Sequence, residues 1–222
     1  LKKSTPFQAI GFEPLGKKVA STFYGFCGHH DTELFKEIEN SPVNIENDKH
    51  RFLLSYRSFA KEFHTKRETN KGFSSNELYN EPHMKDIKDG NIKGSNLAIR
   101  DNTYVKNRLN EILKLEDYSQ LIYFSRTIEY MVPIACASSF TPAYSYKNEL
   151  LNLSEKPEDV YENIIITVLP TETKTHVLFA CLPEQSKAIK YINQLSQLNG
   201  IALEKAITSI LIGDNENTFI SP

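Results

Sequence analysis

The chain has 222 residues, 40% of them hydrophobic and 24% charged, with a formal net charge of -2. That is enough apolar material for a sizeable core, in one large domain or two small ones, and it excludes a disordered or fibrous chain. The near-neutral balance excludes a globally polybasic surface, and no apolar run approaches the roughly 20 residues of a membrane span.

The start, LKKSTPFQ, is basic but lacks the apolar stretch of a secretion signal. Residue 1 is leucine and the sequence stops after NTFISP, which is read as a fragment or a processed chain. The segments FQAIGFE and KKVASTFYGF, separated by the Pro14 to Gly16 turn, predict a β-hairpin that delivers the chain into CGHHD. DTELFKEIE then predicts a short helix with Asp31 or Thr32 as N-cap and Leu34, Phe35 and Ile38 on its apolar side.

The clearest helix is predicted from Asp48 to Arg67. There Phe52, Tyr56, Phe59 and Phe63 recur at helical spacing and form one core-facing stripe. His50, Arg57, Lys61 and His64 share another face of that helix. Such a row is either a solvated margin covering the flank of the core stripe or a phosphate-contacting edge whose binding weakens steeply with salt. The polar, Gly-, Asn- and Lys-rich segment from Glu68 to Gly94 is read as a long loop or weakly helical connector, and Asn96 to Leu115 as an amphipathic helix with Leu97, Val105, Leu109 and Ile112 inward.

The second half changes character. LIYFSRTIEYMV, PIACASSF, ENIIITVLP and THVLFACLP read as strands, with TETK as the hairpin connection between the last two. Two helices close the chain, Pro183 to Leu198 ended by Gly200, and IALEKAITSILIG ended by Gly213. The expected fold is α+β: an antiparallel sheet with helices packed on one face, preceded by the hairpin and a knuckle-like turn. The expected organisation is residues 1–45 as the knuckle-like region and 46–222 as the body.

Candidate chemistry concentrates in CGHHD. Cys27 and His30 stand in C-x-x-H spacing, which on a tight turn can bring a thiolate and an imidazole to one Zn²⁺. A polar turn without metal is the alternative. Cys136 and Cys181 lie in apolar strand sequence and read as core residues. Three widely separated cysteines make no disulfide framework, and their odd number fits a reducing compartment, so a cytoplasmic protein with no membrane partner is expected.

The stretch STFYGFCGHHDTELFKEIE resembles a group of uncharacterised bacterial proteins in which a hairpin ends in a C-x-x-H-D turn and a short Leu-Phe helix. The likeness covers about the first forty residues. In that group the whole resembles a treble-clef zinc finger of the HNH type. The resemblance implies Cys27 and His30 as zinc ligands, Asp31 as a supporting or capping residue and His29 as a variable neighbour. The upstream cysteine pair and histidine of that group have no counterpart here.

Other patterns are weaker. His30-Asp31 is similar to the metal-binding pair of HD phosphohydrolases, but its strand-like flanks do not suit that all-helical fold. Arg57 and His64 fit the loose R-x4-6-H pattern of HEPN ribonucleases, whereas the sheet-rich second half does not. His176 reads as a strand surface residue and His83 as a loop residue. No G-x-S-x-G, G-x-x-x-x-G-K-[ST] or G-x-G-x-x-G occurs, so neither a serine-hydrolase elbow nor a nucleotide cofactor is expected. The sequence thus points to a binding or regulatory protein with a truncated structural zinc knuckle and nucleic-acid contact through the basic row. The alternative is a metal-dependent HNH-like nuclease whose remaining site lies outside this chain, with no catalytic residue assigned within it.

Overall fold

Helical spacing in the first half and alternation in the second become separate layers. The computed structural model describes residues 25–75, 81, 84–153, 156–215 and 217–221. The predicted hairpin falls almost wholly on residues 1–24, and His83 likewise lies outside the described residues.

Three helices come first: α1 (Gly28–Asn40), α2 (Asp48–Ser75) and α3 (Lys85–Leu115). A 3-10 turn at Tyr118–Gln120 leads into β1 (Ile122–Ile128) and β2 (Ile134–Phe140). The hairpin β3 (Ile164–Pro170) and β4 (Thr175–Cys181) follows, then α4 (Ser186–Ser196), α5 (Gly200–Gly213) and a short β5 (Thr218–Ile220). All five strands join one antiparallel sheet in the order β1-β4-β3-β2-β5. The β3–β4 connection is the predicted TETK turn, closed by Thr171 N–H donating to the Lys174 carbonyl at 2.8 Å.

The α+β class with helices packed on an antiparallel sheet is therefore present, and the helices lie on both faces rather than one. The reason is in β3 and β4, which are apolar at successive positions instead of alternating with polar ones. Ile164, Ile166, Val168, Val177 and Phe179 enter a core with Ala188, Ile192 and Leu195 of α4 and Ile207 and Ile210 of α5. Ile165, Leu178 and Ala180 enter a second core with Phe35 of α1, Phe52 and Phe59 of α2, and Leu109 and Ile112 of α3. Helix α1, inside the predicted 1–45 region, thus shares its core with the body.

The aromatic stripe of α2 is buried as expected at Phe52, Phe59 and Phe63, and the half-buried Tyr56 donates to Asn110 Oδ1 at 2.8 Å. Of the two readings of Glu68 to Gly94, a long loop or a weakly helical connector, the loop is corrected by the structure. Residues 68–75 continue α2 and residues 85–94 open α3. Gly72, Gly90 and Gly94 each disfavour a helix by about 1 kcal/mol, which made the segment look loop-like. Pairing of the two helices overrides that preference, with Asn70 Nδ2 donating to Asn96 Oδ1 at 2.9 Å.

Two boundaries near the C-terminal helices also differ. Helix α4 starts at Ser186, not Pro183, because its first amides are met from outside: Glu162 Oε2 accepts from the Lys187 and Ala188 N–H groups at 2.7 and 3.1 Å. Gly200 opens α5 instead of ending α4, and its φ of 52° is a backbone angle that suits glycine. Gly213 ends α5 as expected. Strand β5 carried no sequence signal: three residues are too few to show a period, and it exists by pairing with Ile134–Cys136. Among the described residues no helix is long and apolar enough to cross a membrane.

Candidate functional site

CGHHD is the first turn of α1, so the knuckle-like turn is a helix start. Cys27 takes the N-cap position with extended backbone (φ -74°, ψ 153°), and Asp31 N–H donates to its carbonyl at 2.9 Å. The expected N-caps Asp31 and Thr32 therefore lie inside the helix, where Thr32 Oγ1 donates to the Gly28 carbonyl. Residues three apart on a helical turn share a face. Cys27 Sγ and His30 Nδ1 are accordingly 3.1 Å apart, both at the surface, with the His29 ring centroid 5.8 Å from that of His30.

Two donors are half of a tetrahedral zinc set. Among the described residues no group of three or more His, Cys, Asp or Glu converges here or elsewhere, and residues 1–24 contain neither cysteine nor histidine. Among the described residues, Cys27 and His30 have no third or fourth donor beside them. Cys136 and Cys181 are buried as expected, and burial pushes their thiols up to about 11 and about 12. A thiol-reactive disulfide reagent is therefore expected to modify Cys27 alone of the three cysteines in the native protein, and all three in denaturant. Rapid native reaction at two or more sites would contradict this burial.

The four residues of the basic row have separate employment. His50 is buried; its Nδ1 accepts from Asn44 N–H at 3.0 Å, leaving Nε2 to carry the proton toward Glu37 Oε1 at 3.2 Å. Arg57 pairs with Glu39 at 2.8 Å and with Asp31 at 3.9 Å, its guanidinium lying 5.0 Å from the Phe35 ring centroid. Lys61 sits 4.4 Å from the Phe219 ring centroid, and burial lowers its pKa. His64 lines a shallow hollow with Phe63, Arg67 and Lys106. Three of the four thus hold α1 or β5 against α2. His176, half-buried on β4, shares a hydrogen bond with Thr127 Oγ1 at 3.0 Å, and burial lowers its pKa.

A different place has the form of a binding site. A cleft of about 420 Å³ opens between Lys66 of α2, residues 93–102 of α3 and the connection at 156–163 that enters β3. Its floor is polar and buried: Asp101 is 7% exposed, Asn102 2% and Asn163 4%. Asn163 Nδ2 donates to Asn102 Oδ1 at 2.8 Å, and Thr141 Oγ1 donates to Asn163 Oδ1. The Asp101 carboxylate accepts from Arg100 Nε at 2.7 Å and from Tyr161 N–H at 3.1 Å. Arg100 also donates to the carbonyls of Pro157 and Asp159, tying the connection to α3.

These bonds settle what the cleft can do. Its floor carboxylate is already spent on a guanidinium and an amide, so it is ill placed to take a proton from a substrate. Its rim carries Lys66, Lys93 and Lys156 from three separate segments. The geometry suits holding an anion. Sequence reading missed the cleft because Lys66 ended a predicted helix, Lys93 lay in a predicted loop, and Lys156 followed the strands without any motif joining them. Compared with models of known families, with curated proteins and with solved structures, the chain matches none.

Proposed function

We propose that the chain is a binding protein that recognises an anionic ligand in the cleft between α2, α3 and the 156–163 connection. The observation that carries this reading is that Lys66, Lys93 and Lys156, from three separate segments, line one cleft with a buried floor whose polar groups are hydrogen-bonded to one another. A cleft of this size lies in the range of small-molecule sites, and a preformed floor limits the cost of ordering it on binding.

The test is thermal unfolding of the chain with a panel of small anions and a single-stranded oligonucleotide. A ligand present at about 100 times its Kd stabilises a protein by roughly 2.7 kcal/mol, a readily measured rise in Tm. The reading expects such a rise with at least one small anion, and its loss in Gly94→Phe. Gly94 lines the cleft, and a Cβ there meets no atom within 4 Å, so a bulky side chain can be introduced at the cleft wall without a clash at its Cβ. Stabilisation by the oligonucleotide alone, unchanged in Gly94→Phe, would favour nucleic-acid contact elsewhere on the surface. Cleavage of DNA or RNA only with added divalent ion, lost in His30→Ala, would favour the HNH-like nuclease.

A further inference from the structure

We infer that two copies of the chain associate through β1, joining their sheets edge to edge in an antiparallel pair centred on Ser125. Strand β1 has a free edge. In the order β1-β4-β3-β2-β5 it pairs only with β4, and the two ends of the sheet are unlike: β5 has three residues and β1 has seven. Very short edge strands resist pairing with another chain, as do edges that carry lysine or proline. The β1 sequence IYFSRTI has neither, and its one charge is Arg126.

The backbone pattern decides which groups of β1 are free. At the β3–β4 turn Thr171 N–H donates to the Lys174 carbonyl, so that pair is a hydrogen-bonded one. Such pairs alternate with non-bonded ones along an antiparallel ladder. Followed along β4, the alternation turns the backbone groups of Thr175, Val177, Phe179 and Cys181 toward β1, where they meet Ile128, Arg126, Phe124 and Ile122. Tyr123, Ser125 and Thr127 therefore direct their N–H and C=O groups away from the sheet. Among the described residues, the one contact these groups make is long, from Arg126 Nη1 to the Ser125 carbonyl at 3.4 Å.

A second copy fits this edge because β1 is complementary to itself about Ser125. In an antiparallel pair centred there, Ser125 faces Ser125 of the second copy and Tyr123 faces its Thr127, so every outward residue meets an outward residue and each such pair exchanges both of its N–H···O bonds. Phe124 then faces Arg126 of the second copy, on the side of the sheet that carries α4 and α5. Within one chain the Arg126 guanidinium already lies 4.9 Å from the Phe124 ring centroid, and the same attraction operates across the two-fold axis. No like charges oppose each other, and Tyr123 with Thr127 is an aromatic and β-branched pair of the kind that stabilises neighbouring strands.

Sedimentation equilibrium of the full chain at concentrations between roughly 1 and 200 µM tests this pairing. The expected result is a mass that rises from the 25.4 kDa of one chain toward twice that value as concentration increases. Ser125→Pro is expected to abolish the rise while leaving the Tm close to that of the unaltered chain, because it removes an N–H that no β4 carbonyl uses. Ser125→Lys and Ser125→Glu place like charges face to face on the axis. Each is expected to weaken association about fivefold, and an equimolar mixture of the two is expected to regain it. These charge variants decide the matter if the proline variant unfolds. A single-chain mass at every concentration would overturn the proposal. A dimer left unchanged by all three substitutions would place the contact on another surface and overturn it as well, and a mixture no tighter than either charge variant alone would overturn the pairing centred on Ser125.

Discussion

Replacing Glu62 by alanine is expected to lower the unfolding free energy by about 3 kcal/mol, read from urea unfolding by linear extrapolation. Glu62 sits on α2 at 4% exposure. Its Oε2 accepts from Ser138 Oγ of β2 and from Asn217 Nδ2 just before β5, both at 2.9 Å, and its Oε1 pairs with Lys66. One carboxylate therefore joins the long helix to a sheet strand and to the segment that carries the edge strand. Truncation leaves two donors without their acceptor and an ammonium without its counter-charge, and it is these orphaned groups that set the size of the loss. Glu62→Gln keeps an acceptor and the side-chain volume while losing the charge, so its expected cost is smaller, about 1 kcal/mol. Equal losses in the two variants, or a loss below about 1 kcal/mol in Glu62→Ala, would show that this buried network does not hold β2 and β5 to α2.

Phe52→Ala and Phe179→Ala are each expected to cost about 3 to 5 kcal/mol, because each empties a fully buried aromatic site. Both residues are 0% exposed, yet they belong to different cores. Phe52 packs with its ring centroid 5.7 Å from that of Tyr56 and 5.1 Å from that of Tyr118, on the α2 and α3 side. Phe179 stacks on Phe124 at 6.0 Å, on the α4 and α5 side. Since they sit on opposite faces of one sheet, both single variants should unfold in one cooperative transition at lower denaturant, and the double variant should fail to fold. Two separate transitions in Phe52→Ala would show instead that the two faces form independent units.

The part of the fold legible in the sequence was the part that local periodicity encodes. The Phe52, Phe59 and Phe63 stripe, the four long strands and the TETK connection all came from spacing and from residues with strong local preferences. Where local preference and packing disagree, packing prevails. The glycines between Glu68 and Gly94 favour a loop, but α2 and α3 run through most of that segment because each helix covers the other. The same holds for Cys27 and His30. Their spacing determined that they would share a face, while only the structure places that face on a helix start rather than in a turn.

By itself the sequence determined an α+β chain, an aromatic core stripe on a helix, four strand segments, and a Cys27–His30 pair spaced to share one face. The tertiary structure decided that helices cover both faces of the sheet, that His50, Arg57 and Lys61 serve internal contacts, and that Lys66, Lys93 and Lys156 line one cleft with Asp101. The physical reason is range. Side-chain periodicity fixes which residues lie on one face of an element, but which distant segment buries that face, and which charges converge at its edge, depends on packing between elements far apart in the chain.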